Sequence, residues 1–262
     1  MFRMLHRIEI TGFDRSIQIA QLAQVIQTAA PLEVELGIVM QHSKLRLHPP
    51  KQEGRFRPRN PDWDQILEAE AAGLRLACHA SGSRILKALL RGRLPDLRHP
   101  AGLRPFKTLQ LNTTTRAQPF EGHIGSKRSM YTSYVHFIED LIAHDELRIE
   151  EVLAQLQPTT EVVVQVIVSH KVQPIIPAAL LTLAHRCQNA GMTTRLLLDT
   201  SGGRGKAALE CWPSRTALGP ESADLPIGFA GGLTPDSNPN QTVSPGARRW
   251  VNWESAWGML SG

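Results

Sequence analysis

Short apolar runs recur along this chain, and segments with helical spacing separate them. The clearest runs are Glu33–Met40 (EVELGIVM) and Glu161–Ser169 (EVVVQVIVS). Apolar runs of this length, bounded by turn residues, are typical of strands that are buried on both faces of a parallel sheet. The segment Asp14–Thr28 has apolar residues at approximately helical spacing. This alternation predicts an α/β fold in which parallel strands are joined by right-handed crossovers.

The pattern yields eight candidate strands, a number that suits a closed barrel. The other six are Arg7–Thr11, Leu74–His79, Thr108–Asn112, the run ending at Asp199, the run ending at Gly231, and Arg249–Trp253. Further helices are predicted after Asn60 and Pro61, over Ser83–Gly92, roughly over Met130–Gln157, and over Pro177–Asn189. We therefore predict a single-domain (β/α)8 TIM barrel that spans residues 1–262.

The carboxyl-terminal part, about residues 234–262, is irregular. The segment Thr234–Ala247 (TPDSNPNQTVSPGA) is too rich in Pro and Asn for a regular helix. We expect the seventh helix to be reduced and the eighth to be missing. Apolar sheet surface would then be exposed, which predicts either a partner subunit, such as a second copy in a homodimer, or a local packing substitute.

Composition narrows the functional classes. The chain has 262 residues, of which 42% are hydrophobic, so it can bury a full core. No run of eighteen apolar residues is present and the amino terminus lacks a secretory core, which predicts a protein without a membrane partner. The three cysteines have no metal-type spacing, which indicates reduced thiols in the cytoplasm. A net charge of +5 with only 5% aromatic residues argues against nucleic-acid binding.

A basic stretch lies within residues 43–60. Its cations include Lys44, Arg46, Arg55 and Arg59. Two interpretations stay open: a solvated loop, or a flap that attracts a phosphorylated or carboxylated substrate, in which Arg46 would contact the anion.

Two apolar runs end in glycine-rich turns. Asp199 is followed by the glycine-rich segment up to Lys206, and the second turn occupies Gly228–Asp236. Glycines directly after a strand let backbone N–H groups approach a phosphate, and barrel enzymes hold catalytic groups at strand ends. The pair of turns therefore predicts a substrate that carries a phosphate, with Asp199 at the site.

These motifs resemble those of phosphoribosylanthranilate isomerase, a barrel family of tryptophan biosynthesis. The resemblance is specific over roughly residues 195–236, where the family's Leu-Leu-Asp, Gly-Gly-x-Gly-Lys and Gly-Gly-Leu-x-Pro motifs recur. Weaker similarities cover Leu109–Asn112, Gly37–Arg46 and Val251–Ala256.

The resemblance implies a cofactor-free Amadori rearrangement of an aminoaldose phosphate, with Asp199 as the general acid. Thr11 stands where the family has a general-base cysteine, and a threonine hydroxyl is too weakly acidic to replace a thiolate unaided. Another base is then needed, and His79 leads the candidates because imidazole titrates near neutral pH. The other candidates for the base are His42, Cys78 and His170. The implied phosphate and substrate ligands are Gly203, Arg204, Gly205, Gly231, Gly232 and Ser255.

Two other functions stay open at this point. His42, His79, His170 and Asp199 together would suit a metal-dependent sugar-phosphate epimerase, although the leading hypothesis needs no metal. Alternatively, a barrel without the family's base would bind a sugar phosphate or a partner protein without catalysis. Whether the protein is an enzyme is therefore an expectation that leans toward an isomerase.

Overall fold

Eight strands form a closed barrel in which every neighbouring pair is parallel and β1 is hydrogen-bonded to β8. The structure, a computed structural model, describes residues 7–11, 18–28, 33–40, 63–81, 83–97, 99–113, 134–167, 176–199, 218–230 and 250–254. The strands are β1 (Arg7–Thr11), β2 (Glu33–Met40), β3 (Arg75–Ala80), β4 (Thr108–Leu111), β5 (Glu161–Ile167), β6 (Thr193–Asp199), β7 (Ile227–Ala230) and β8 (Trp250–Glu254).

The helices lie between consecutive strands. They are α1 (Ile19–Thr28), α2 (Trp63–Ala71), α3 (Ser83–Leu90), α4 (Tyr134–Ala143), α5 (Ile149–Leu153) and α6 (Ala178–Asn189). In the described part of the chain, every helix is too short or too polar to cross a bilayer.

The predicted fold class requires a correction. A (β/α)8 TIM barrel was expected to lose regular helices only after β7 and β8. Within the described residues, α-helices follow only β1 to β5, and the connection from β6 to β7 contributes only the 3-10 helix Pro220–Ser222. The regular eightfold repeat of strand and helix is therefore not present in the described structure. The fold is a closed parallel barrel with five described helical connections.

The single helix predicted over Met130–Gln157 is also wrong, because the chain forms two helices there. Helix α4 ends at Ala143 and α5 begins at Ile149. Between them, Asp145 adopts a left-handed conformation with φ of 51°. The backbone N–H groups of Glu146 and Leu147 both donate to the carbonyl of Leu141, so the chain turns back instead of continuing the helix.

The expectation of exposed apolar surface near the last strands is not met in the described part of the chain. Ile227 and Phe229, which alternate with inward-facing residues on β7, are only 7% and 5% exposed, and Leu225 before them is buried. Other parts of the same chain therefore cover this face. A homodimer stays a prediction.

The two faces of the barrel wall differ in polarity. Outward residues such as Leu36, Leu76, Leu109 and Leu196 belong to the main hydrophobic core, which they share with the helices. The alternate positions face the lumen, where three of the described apolar residues, Val163, Leu197 and Ala230, form a separate small cluster. Most of the other described inward residues are polar, so the barrel has an apolar outside and a largely polar inside.

The amino-terminal end of the lumen is filled by a network of paired charges, the Arg–Glu network. Its members are Arg7, Glu33, Glu35, Arg75, Glu161 and Arg195. Glu161 is its centre, because Arg7 Nη1 lies 2.8 Å and Arg195 Nε 2.9 Å from Glu161 Oε2, and Arg75 Nη2 lies 3.0 Å from Oε1. Equal numbers of arginines and glutamates neutralise one another where water is largely excluded.

The network shifts the pKa values of Arg7 and Glu161 in the direction that keeps them charged, whereas burial lowers the pKa of Arg195. Burial lowers the pKa of Arg7, but its hydrogen bonds to Glu161 and Glu33 outweigh burial and raise it overall. Burial likewise raises the pKa of Glu161, while the hydrogen bond from Arg7 and the charge of Arg195 bring it below its usual value. These groups are therefore ionised partners over the physiological range.

The pKa of Glu35, like that of Arg195, shifts toward the uncharged form. Its side chain is fully buried, accepts a hydrogen bond of 2.5 Å from Thr108 Oγ1, and lies 2.8 Å from Arg75 Nε. Burial, together with the nearby charge of Glu9, raises the pKa of Glu35 to about 7 despite these two partners. The carboxyl therefore takes up a proton in the folded protein near neutral pH.

We predict that Glu35→Gln flattens the pH dependence of stability between pH 4.5 and 7. The ordinary pKa of Glu35 is 4.5 and its folded value is about 7, so between these values the folded state holds more of this proton. Stability contributed by this group is therefore lost as pH rises through that window, by roughly 1–3 kcal/mol. Urea unfolding from pH 4.5 to 7.5 measures it. Glu146→Gln, at an exposed glutamate, is the matched control. An unchanged slope in Glu35→Gln would contradict the assignment.

Candidate active site in the barrel lumen

A second set of polar side chains lies on the lumen face, nearer the carboxyl ends of the strands. We call this set the polar belt. It consists of Glu9, His79, Gln110, Asn112, Gln165 and Asp199. Asn112 is half-buried, and the other five are at most 2% exposed. The belt lies where a parallel barrel gathers the ends of several strands, the usual position of an active site.

His79 on β3 contacts Glu9 on β1 across the intervening strand β2. The contact joins His79 Nε2 to Glu9 Oε1. Gly37 makes it feasible, because this residue of β2 pairs with Thr11 on β1 and with Ala77 on β3. A Cβ at position 37 would lie 2.7 Å from both Glu9 Oε1 and His79 Nε2. Only glycine leaves room for the pair.

The Glu9 contact determines which nitrogen of His79 can act as a base. An ionised carboxylate only accepts hydrogen bonds, so with Glu9 in that form Nε2 is the nitrogen that donates to it. In the neutral ring the lone pair is then on Nδ1. A carboxylate in this position also orients the ring and stabilises the imidazolium that forms after proton uptake, as in other histidine–carboxylate pairs.

Asp199 is the last residue of β6 and is completely buried. Gln165 on β5 donates from Nε2 to Asp199 Oδ2 at 2.6 Å. The main-chain carbonyl of Gln165 accepts a hydrogen bond from the Thr113 hydroxyl after β4. Asp199 is therefore held by an amide that is itself anchored to the neighbouring strand.

Asp199 and the Glu9–His79 pair flank β7 and β8 from opposite sides. Along the strand register, Asp199 pairs with Ala230, Ala230 with Asn252, and Asn252 with Glu9. At the intervening position on β7, Ala230 has a small side chain that occupies little of the lumen. The closed barrel therefore brings the two predicted catalytic groups, Asp199 and His79, to the same interior.

The residues predicted as candidates for the general base lie in different places. His79 is placed in the lumen. Cys78 alternates with it on β3, belongs to the outer core, and its burial raises the pKa of the thiol to about 12, so it is not a reactive thiolate. Thr11 ends β1, and its side chain lies outside the described residues, as do His42 and His170.

The predicted phosphate and substrate ligands also lie outside the described residues. They are Gly203, Arg204, Gly205, Gly231, Gly232, Ser255 and Arg46. The metal-site hypothesis gains no support from the described ranges, which contain no group of three or more His, Cys, Asp or Glu side chains arranged to hold a metal ion.

Three residues of the site, Glu9, Gly37 and Gln165, were not predicted from the sequence. The signal was present, since polar residues occur at every second position of β1 and interrupt the apolar run of β5 at Gln165. Period-two polarity in strands that are otherwise buried indicates a polar lumen. What the pattern could not indicate was which of these residues would meet, because Glu9 and His79 are separated by 70 positions in the chain.

Comparison with known proteins adds little. No family model and no curated protein matches the chain. Among solved structures, the chain is similar to one described as spore coat polysaccharide biosynthesis protein E from Chromobacterium violaceum, with 10% sequence identity and a TM-score of 0.46. The match covers 95% of this chain and 65% of that one, so this chain spans just under two thirds of its length. Similarity at this level supports no conclusion about fold or function.

We predict that Gly37→Ala destabilises the protein by about 1–3 kcal/mol, because the added methyl group overlaps Glu9 and His79. The double-mutant cycle with His79→Ala isolates the cause. Removing the imidazole relieves the overlap, so the cost of Gly37→Ala should shrink by at least about 1 kcal/mol in that background. Urea unfolding of the four proteins measures the coupling, and strictly additive effects would argue against the contact.

Proposed function

We propose that this protein catalyses an aldose–ketose isomerisation of the Amadori type on a phosphorylated sugar derivative. One arrangement carries the proposal: a histidine oriented by a carboxylate, His79 with Glu9, in the same lumen as the buried carboxyl of Asp199. The reaction needs two groups that exchange protons with one substrate, and such pairs of differently placed titratable groups are typical of acid–base enzymes. The resemblance of residues 195–236 to phosphoribosylanthranilate isomerase adds the expected substrate class.

In the first step of the proposed reaction, Asp199 acts as the general acid. Its proton passes to the furanose ring oxygen, the bond between carbon one and that oxygen breaks, and the lone pair of the substrate amine forms a protonated Schiff base at carbon one. Gln165 keeps the Asp199 carboxyl in one orientation during this transfer. The carboxylate left behind remains hydrogen-bonded to the amide.

In the second step, His79 acts as the general base. Nδ1 takes the proton from carbon two, and the electrons of that C–H bond form a double bond between carbons one and two while the iminium nitrogen recovers its lone pair. The resulting enolamine tautomerises to the aminoketose. Glu9 holds the imidazolium through Nε2, which replaces the role that the resemblance assigns to a cysteine at the position of Thr11.

The phosphate part of the proposal rests on sequence. Glycine-rich turns follow Asp199 and Ala230 in the chain. Turns after the last strands of a parallel barrel are where phosphate groups bind in many barrel enzymes. This location at the carboxyl ends would hold the phosphate on the same side of the barrel as the polar belt.

A second candidate is a barrel that binds a ligand without catalysis. It is favoured by the burial of the groups in question, since Glu9 and Asp199 are 0% and His79 is 1% exposed. Polar side chains that contact one another inside a lumen sometimes do no more than satisfy one another's hydrogen bonds. Catalysis needs a substrate that reaches them, so the two candidates differ in whether turnover depends on His79 and Asp199.

We expect purified protein to convert phosphoribosylanthranilate to its aminoketose, and we expect His79→Asn and Asp199→Asn each to lower kcat by about 10²- to 10⁴-fold. The physical reason is the loss of one proton-transfer group while the barrel is kept. His144→Asn, at an exposed histidine on the outer surface, is the matched control and should retain full activity. Circular dichroism and urea unfolding verify that each variant is folded.

Complementation of a tryptophan auxotroph that lacks the isomerase gives an independent readout. Growth that depends on both His79 and Asp199 supports the proposal. Soluble wild-type protein that neither supports growth nor turns over the substrate would contradict it and favour the binding barrel. Turnover that survives both substitutions would assign the chemistry to other residues.

A further inference from the structure

Two buried glutamines of the polar belt present carbonyl oxygens that accept no hydrogen bond from the described residues. Gln110 is 1% and Gln165 is 2% exposed. Within the described part of the chain, neither Gln110 Oε1 nor Gln165 Oε1 accepts a hydrogen bond. A buried acceptor without a donor is unfavourable, and such groups in folded proteins usually mark the place of a water molecule or a ligand.

Chemistry fixes the orientation of the Gln165 amide. Its Nε2 donates to Asp199 Oδ2 at 2.6 Å. Because Oδ2 is the accepting oxygen, the acid proton of Asp199 belongs on Oδ1, and a flipped amide would then bring its carbonyl oxygen within 2.6 Å of a second acceptor, which would repel it. The main chain of Gln165 is also held, by the Thr113 hydroxyl. Gln165 Oε1 is therefore the oxygen of this amide that can accept a hydrogen bond from another donor.

Gln110 lies on the adjacent strand, and its carbonyl oxygen also lacks a donor among the described residues. Its Nε2 donates to Asn112 Oδ1 at 2.8 Å. Gln110 pairs in register with His79 on one side and with Val163 on the other, and Gln165 is two residues beyond Val163. Both glutamines therefore lie on the lumen face of neighbouring strands, next to the residues assigned to acid–base chemistry.

Three buried carboxyl groups share the lumen with these two oxygens. The belt contains the carboxyl groups of Glu9 and Asp199, and the network below it adds the buried carboxyl of Glu35. The arginines that compensate charge lie at the amino-terminal end of the lumen and are bonded to glutamates there. An anionic group would be repelled at the level of the belt, and an apolar one would leave the carbonyl oxygens unpaired.

We propose that the polar belt recognises ligand hydroxyl groups through Gln110 Oε1 and Gln165 Oε1, and so selects a polyhydroxylated carbon chain at this depth of the barrel. The inference rests on the proposed function, because it assigns the substrate's sugar portion to the same lumen. The two amides are specificity-determining groups, and the anionic end of the ligand lies away from them.

Isothermal titration calorimetry with two phosphates of equal chain length tests the inference. Ribitol 5-phosphate carries hydroxyl groups along its chain, whereas n-pentyl phosphate carries none. We expect wild-type protein to bind ribitol 5-phosphate about tenfold more tightly than n-pentyl phosphate, in keeping with one or two neutral hydrogen bonds. Equal affinity for the two, or binding of neither, would overturn the inference.

Substitutions then locate the preference. Gln165→Met and Gln110→Met replace an amide by an apolar side chain of similar length, and each should reduce the preference for ribitol 5-phosphate to under threefold while n-pentyl phosphate binds as before. Gln155→Met, at an exposed glutamine, is the matched control and should keep the full preference. If Gln165→Met does not fold, the binding preference of Gln110→Met alone tests the inference. A preference that persists in the folded variants would overturn the inference.

The two proposals fail in different ways. The wild-type protein could lack isomerase activity and still prefer ribitol 5-phosphate. If substitution of the glutamines then abolishes that preference, the result supports hydroxyl recognition and contradicts only the catalytic proposal. If the protein is an active isomerase and its preference for ribitol 5-phosphate is unchanged by substitution of either glutamine, only hydroxyl recognition by the glutamines is contradicted. Tighter binding of 5-aminopentyl phosphate than of ribitol 5-phosphate would also overturn it, because the acceptors would then recognise a cation.

Discussion

A closed parallel barrel hides its inward side chains from water, so each charge on that face needs a partner on the same face. The Arg–Glu network meets this requirement at the amino-terminal end. Arg7, Arg75 and Arg195 converge on Glu161, while Glu33 pairs with Arg7 and Arg75 and Glu35 pairs with Arg75. Because the ion pairs link β1, β2, β3, β5 and β6, they join strands that are distant in sequence. The lumen beyond the network can then hold the polar side chains of the belt.

The polar belt uses this freedom in two separate units. His79 is oriented by Glu9 across the gap that Gly37 leaves, and Asp199 is oriented by Gln165. Each unit pairs a titratable group with a neighbour that fixes its orientation, and the two units are separated along the register by β7 and β8. A base and an acid that are held apart can act on different atoms of one substrate. This is the physical basis for preferring isomerisation to simple binding.

Much of the strand pattern was predictable, because runs such as Val162–Val166 are mainly apolar and are buried on both faces. The helices were harder. The apolar spacing from Met130 to Gln157 continues through Asp145, although that residue turns the chain, and an aspartate tolerates the left-handed conformation without a distinctive sequence signal. Asp199 and His79 were predictable as strand-end residues. Their partners Gln165 and Glu9 were not, since register and closure decide which side chains meet across a barrel.

The orientation of His79 is the part of this account on which the rest most depends, and nitrogen NMR of the histidine side chains measures it directly. Protein labelled with ¹⁵N, with a His79→Asn sample to assign the signal, distinguishes a protonated from an unprotonated ring nitrogen. The account predicts that the neutral ring carries its proton on Nε2, where Glu9 accepts it, and has its lone pair on Nδ1. A neutral ring with its proton on Nδ1 would contradict the contact with Glu9 and remove His79 as the proposed base.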